Sequence, residues 1–178
     1  LFIFDSDILS ELAPDDPRVS FIYEQLTAMN NILQKEGSSL CVKHGNPISV
    51  FQSLIEEFDV QTVYTNEDYE PYAIKRDQLV ESLLSKHNIT FRQFKDQVVF
   101  AKGDVLKADG TPYTVFTPFK KAWLRILEPK NIKEHPVSLK GFISQIFPFP
   151  SLSDLQFKKS NIKVPPFKLN HLNDYSKT

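Results

Sequence analysis

The chain has 178 residues, 41% hydrophobic and 24% charged, which suits one globular domain with an appendage and a sizeable core. Its net charge of -1 hides an asymmetry: residues 129–178 hold eight Lys against three acidic residues, a local +5, so residues 1–128 carry -6. An acidic body argues against a main DNA-gripping surface, because neutralising phosphate takes Lys and Arg.

In chain order, residues 1–4, LFIF, form an expected buried strand that stops at Asp5-Ser6-Asp7. A strand this apolar needs neighbours on both sides, so the chain is expected to be a fragment with something natural before Leu1. Ala13-Pro14-Asp15-Asp16-Pro17 is a turn and helix start, with Asp16 as N-cap and Pro17 at the first helical position. Phe21, Ile22, Leu26, Met29 and Leu33 recur at helical spacing, and Gly37 marks the stop. Residues 39–42, SLCV, are a second strand ending at Lys43-His44-Gly45. Asn46-Pro47 opens a helix whose buried face is Val50, Phe51, Leu54, Ile55 and Phe58. Residues 60–64 are a third strand. Residues 71–86 are a third helix, with Ala73, Val80, Leu83 and Leu84 on one side and Asn88 at its end. Residues 90–94 and 97–100 are β-rich, either one bent strand or two. This alternation predicts an α/β fold: a Rossmann-like, doubly wound parallel sheet with right-handed crossovers.

A long loop follows, with turn chemistry at Asp109-Gly110. A further helix is expected over residues 116–127, turning Trp123, Leu124 and Leu127 inward and Lys120, Lys121 and Arg125 outward. Beyond Glu128 the character changes: six of the twelve prolines fall in residues 129–178, so this is an extended Pro-rich linker that packs its Phe residues on something else. Its Lys residues make it either a contact for an acidic partner or a solvated connection. The lone Cys41 excludes an intrachain disulfide and fits a cytoplasmic protein. No apolar run reaches the roughly 18 residues a membrane span needs, and no signal peptide is visible.

No catalytic constellation emerges. Five glycines make neither GxGxxG nor a P-loop. His44, His87, His135 and His171 lack metal-ligand spacing. His44, at a strand end, is either a ligand contact or a loop histidine. What remains is an acidic rim. Asp5 and Asp7 end one strand, and Asn66, Glu67, Asp68 and Glu70 follow another. Ligands of open α/β sheets sit at carboxyl ends of strands. If these strands are neighbours, the carboxylates converge on one crevice that repels phosphate and accepts hydrogen bonds from ring N–H groups. A pterin or flavin-like ring suits it. Glu70, just before Pro71, is either such an acceptor or a partner of the helix macrodipole. Arg18 either reaches across the crevice or forms a surface ion pair. Asp77, on the apolar stripe, reads as the structural partner of a buried donor.

The strings Asp15-Asp16-Pro17-Arg18-Val19-Ser20-Phe21-Ile22, NEDYEPYAIKRD over residues 66–77, and VFTPFKKAW over residues 115–123 resemble the N-terminal α/β domain of DNA photolyases and cryptochromes. The likeness covers residues 1–128 and is greatest to cyclobutane-dimer photolyases. It implies an antenna-chromophore domain over residues 1–128, an inter-domain linker over 129–178, and a helical FAD domain that this chain does not contain. In such a deoxyribodipyrimidine photolyase the antenna absorbs light and passes excitation to FAD, which drives repair of pyrimidine dimers. The partners implied are the chain's own C-terminal helical domain and, through it, UV-damaged DNA, with no membrane. Asp68 and Glu70 fall at antenna-pocket positions, Arg18 near them, with Asn66 and Asp5 as further candidates. Tyr72-Ala73 stands where folate-binding members carry Asn-Glu, so a deazaflavin or flavin is expected over a folate. The family's opening strand, with its WFRRDLRL-like signature, is absent, which is expected to leave the antenna crevice incomplete; without the helical FAD domain the fragment alone is expected to be inactive. Alternatives are a cryptochrome photoreceptor domain and a stand-alone Rossmann-like nucleotide-binding module.

Overall fold

A computed structural model describes residues 1–133, 136–162 and 164. Two compact units emerge: Leu1–Asn46 with the described residues from Leu139 onward, and Pro47–Ser138.

In the first unit, β1 (Phe2–Asp5) lies parallel to β2 (Val42–Gly45), with Phe2 opposite Val42 and Asp5 opposite Gly45. Parallel neighbours require a long crossover, here the short α1 (Ser6–Leu9) and the long α2 (Pro17–Lys35). Asp16 caps α2 as expected, its Oδ1 accepting the Arg18 N–H at 2.9 Å, and Pro17 supplies the first helical φ. At the other end Gly37 takes φ 77°, so the Ser38 N–H reaches the Leu33 carbonyl at 3.0 Å and the Gly37 N–H that of Gln34 at 3.1 Å. This is a Schellman closure that only a residue tolerant of positive φ permits.

The apolar face of α2 differs from its expectation. Val19, Leu26 and Leu33 are buried, whereas Phe21, Ile22 and Met29 stay 43%, 39% and 50% exposed. The buried stripe also takes in two polar residues, Ser20 and Asn30, and both have backbone partners. Ser20 Oγ accepts the Ser160 N–H at 2.8 Å, and Asn30 Oδ1 accepts that of Leu40 at 2.8 Å. The second strand is also displaced from residues 39–42 to Val42–Gly45. Ser39 and Leu40 are held by side-chain hydrogen bonds instead of a ladder: the Ser39 hydroxyl donates to the Gln145 carbonyl at 3.0 Å and accepts the Phe147 N–H at 2.7 Å.

The Pro-rich segment finds apolar partners within this chain. Leu155 and Phe157 are buried with Phe4, Val19, Leu26 and Val42, and Phe149 meets Tyr23 edge-to-face at 5.6 Å. The Lys158 N–H donates to the Pro14 carbonyl at 2.7 Å, and Lys159 pairs with Glu24 at 2.8 Å.

In the second unit, α3 (Pro47–Glu57) leads to β3 (Thr62–Asn66), which α4 (Pro71–Lys86) joins to a parallel β4 (Thr90–Phe94). Val80, Leu84 and Ile89 form the core, with Ile48, Phe51, Ile55, Val60, Val63 and Phe91 against it. Asn88 at φ 59° ends α4 and drops Ile89 back onto the Leu84 carbonyl at 3.0 Å. Asp77 is buried on α4. It accepts from Arg76 Nε at 2.8 Å and from Gln93 Nε2 of β4 at 3.1 Å, the structural partnership its place on the stripe implied. Residues 97–100 form bends, not a strand. Phe100 turns instead onto Trp123 of α5 (Phe116–Ile126), ring centroids 5.3 Å apart. On α5 Ala122 is buried and Trp123 half-buried, while Leu124, expected inward, is 52% exposed. The Asp109-Gly110 turn forms, the Thr111 N–H and hydroxyl both bonded to Asp109. Among the described residues no helix is long and apolar enough to cross a membrane.

Candidate functional site

The polar rim of the second unit is built by the exit from β3. The ladder continues one step past the strand, the Glu67 N–H donating to the Phe94 carbonyl at 2.7 Å. Asn66 Nδ2 donates to Asp96 Oδ2 at 2.8 Å, tying the ends of both strands together. Asp68 then folds back: its Oδ1 accepts the Glu70 N–H at 2.9 Å, an Asx turn that aims the chain into α4. Glu70 occupies the N-cap of α4 at φ -67°, ψ 137° and makes no side-chain capping bond. Its exposed carboxylate therefore stands at the positive end of the helix without being spent on the helix's own N–H groups. The structure thus brings Asn66, Asp68 and Glu70 together along one short loop.

Asp5 and Arg18 belong to the other unit. The ladders pair β1 with β2 and β3 with β4, so the strands bearing Asp5 and Asn66 are not hydrogen-bonded neighbours. Asp5 is 7% exposed, and its Oδ1 accepts the Asp7 N–H at 3.0 Å, capping α1. Asp7 Oδ2 accepts from Asn46 Nδ2 at 3.1 Å. Arg18 adopts the surface ion pair, forking onto Asp16 at 3.0 and 2.7 Å with 69% of its side chain exposed. That fork holds the Asp16 carboxyl below its ordinary value and the Arg18 guanidinium above its own. His44 is exposed and lines a cleft of about 390 Å³ with Cys41, Lys43, Phe147, Phe149 and Asp154. Among the described residues no group of three His, Cys, Asp or Glu is placed to hold a metal ion.

Sequence reasoning passed over a feature beside the rim. Tyr64 and Phe94 stack with ring centroids 6.0 Å apart and planes at 28°, while remaining 64% and 52% exposed. The signal was available in the alternation of Thr62-Tyr64-Asn66 and Thr90-Arg92-Phe94, which places both aromatics on one sheet face.

Parallel strand pairs with helical crossovers, and a polar rim at a strand's carboxyl end, define an α/β domain of the Rossmann-like kind. The sequence pattern of the DNA photolyase family matches residues 1–138, and the chain belongs to that family. It is 32% identical over 168 residues to the deoxyribodipyrimidine photo-lyase of Halobacterium salinarum, covering 93% of this chain and 34% of that one. It is 40% identical over 87 residues to that of Vibrio cholerae, covering 48% of this chain and 19% of the relative. The chain thus spans about a third of the Halobacterium protein, and less of the Vibrio one. Among solved structures, the class III photolyase of Agrobacterium tumefaciens superposes with a TM-score of 0.69 over 98% of this chain and 34% of its own, at 23% identity. The archaeal photolyase of Sulfolobus tokodaii, described with two FAD molecules and a novel light-harvesting cofactor, matches with a TM-score of 0.51 at 29% identity, over 57% of this chain and 23% of its own.

Proposed function

We propose that this chain is the antenna-chromophore domain of a deoxyribodipyrimidine photolyase, a carbon–carbon lyase that repairs pyrimidine dimers in UV-damaged DNA. On this reading residues 1–128 are the α/β domain and residues 129–178 the inter-domain linker. The catalytic FAD belongs to a helical C-terminal domain. The antenna, a flavin or deazaflavin when bound, supplies absorption in the near-UV and blue and transfers that energy to the FAD. The observation that carries the reading is the rim. Asp68 and Glu70 present carboxylates at the carboxyl end of β3, and Glu70 withholds its own from the helix it caps. The donor set fits: carboxylates and the Asn66 carboxamide accept from ring N–H groups and hold off phosphate.

The test is chromophore retention in the full-length protein. Asp68→Asn and Glu70→Gln are expected to lower the amount of near-UV chromophore that co-purifies, while light-driven repair by the bound FAD continues at high light intensity. Loss of repair with the fold and FAD intact would reassign the rim to catalysis. FAD binding without repair of duplex or single-stranded DNA in the parent protein would move it to the cryptochromes.

A further inference from the structure

We propose that the outer face of α5 is the seat of an acidic amphipathic helix of the chain's own C-terminal domain, a contact that holds the α/β domain against the domain bearing FAD; this rests on the photolyase reading above. One side of α5 is anchored within its unit. Ala122 is buried, Trp123 meets Phe100, and Phe119 meets Tyr113 edge-to-face at 6.2 Å. The other side carries Phe116, Lys120 and Leu124 one turn apart in a single ridge, with Lys121 and Arg125 in the next. Val115, Phe116 and Leu124 are 61%, 72% and 52% exposed, large apolar groups left in water on one helix.

The chemistry of this face selects its occupant. Lys120, Lys121 and Arg125 form no ion pair among the described residues, and residues 110–127 contain no Asp or Glu. Three unopposed cations beside exposed apolar side chains complement a helix whose apolar stripe is flanked by Asp and Glu. Phe116 and Leu124, with the Lys120 stem between them, form the kind of ridge that interdigitates with a second helix. A DNA duplex would answer the cations with phosphate but leave Val115, Phe116 and Leu124 without cover, so the apolar groups favour a protein partner. The source is the remainder of the same chain. α5 leads directly into the Pro-rich linker, whose Phe149, Leu155 and Phe157 are already committed to the first unit. This chain covers 34% of its Halobacterium relative, so a protein of that length has ample further polypeptide to supply the helix.

Amine-reactive footprinting of the full-length protein reads the cover directly. Lys120 and Lys121 are expected to label about tenfold more slowly than Lys86, an exposed lysine on α4 of the same unit. Leu124→Asp sets a carboxylate into the apolar ridge and is expected to return both lysines to the Lys86 rate, with FAD content unchanged. Arg125→Glu keeps the ridge and reverses one charge; it should speed their labelling severalfold, by less than Leu124→Asp does. Labelling of Lys120 and Lys121 at the Lys86 rate, in parent protein that holds FAD and repairs dimers, would overturn the docking face and leave the photolyase reading standing. Protection that appears only on adding duplex DNA, or only at high protein concentration, would overturn it too, the occupant then being DNA or a second copy. A full-length protein that holds no FAD would defeat the photolyase reading, and the docking face with it.

Discussion

Leu155→Ala tests whether the Pro-rich segment is part of the folded body. Leu155 is 1% exposed and packs with Phe4, Val19, Leu26, Val42 and Phe157. The substitution deletes three carbons, and at about 0.8 kcal/mol for each the lost transfer energy is about 2.4 kcal/mol. A cavity flanked by two strands and a helix collapses only partly, which raises the cost to about 3–4 kcal/mol. For a chain of this size that corresponds to a fall in Tm of roughly 6–16 °C. Urea unfolding followed by circular dichroism and by tyrosine fluorescence would read the change, with Ile146→Ala as control. Ile146 is in the same Pro-rich segment but 57% exposed, and its truncation should stay within about 0.5 kcal/mol. A Leu155→Ala cost below about 1 kcal/mol would refute the packing argument, since that is the behaviour of a solvated linker.

Ser39→Ala removes a hydroxyl that serves both the Gln145 carbonyl and the Phe147 N–H, so it should destabilise by about 1–3 kcal/mol and raise protease cleavage near residue 147. Unchanged cleavage would mean that the clamp is dispensable. Asp77→Ala strips the acceptor from Arg76 and Gln93 and should cost about 2 kcal/mol, with Asp77→Asn losing less; equal losses would contradict the hydrogen-bond account. Acid should act through Asp154, whose carboxyl is held below its ordinary 3.8 by the Ser151 hydroxyl and then the Ser151 N–H. A lowered folded-state pKa contributes stability above the unfolded value that is lost as pH falls through the folded one. The stability gap between the parent and Asp154→Asn should therefore be constant above about pH 5 and close below it. A gap that persists at pH 2 would remove Asp154 from the acid response.

Helix starts and stops were the most legible parts of the sequence, because they depend on neighbours. Asp16-Pro17, Gly37, Pro71 and Asn88 all act within a few residues of themselves, and each does in the structure what its chemistry dictates. The displaced second strand and the polar stripe of α2 were not legible, since their partners lie far away: Ser39 answers to residues 145 and 147, Ser20 to residue 160. An apolar run such as SLCV carries no sign that a remote backbone will claim its serine. Of the candidate site, the Asn66–Glu70 rim was visible as a strand end meeting a proline-initiated helix. The expected convergence with Asp5 depended on strand order, which local pattern does not encode. Arg18 had two open readings, and the surface pair with Asp16 is the one the structure adopts. The Tyr64–Phe94 stack follows from the same period-2 alternation that marks the two strands, which sets both rings on the face opposite Val63 and Phe91.

The discontinuity of the first unit has a consequence for synthesis on the ribosome. Its strands and α2 emerge first, yet Leu155 and Phe157, which complete their core, follow only after the whole of Pro47–Ser138. At about 5–20 residues per second the translation of those intervening residues takes roughly 5–20 s. During that interval Phe4, Val19, Leu26 and Val42 lack part of their cover, while the described core of the second unit is drawn from within its own continuous stretch. Closure of the first unit's core therefore waits until the second unit has been translated. The stretch Leu1–Asn46 is then the part of this unit most in need of a holdase chaperone, and codon choices that speed passage through residues 47–138 should raise the yield of native protein.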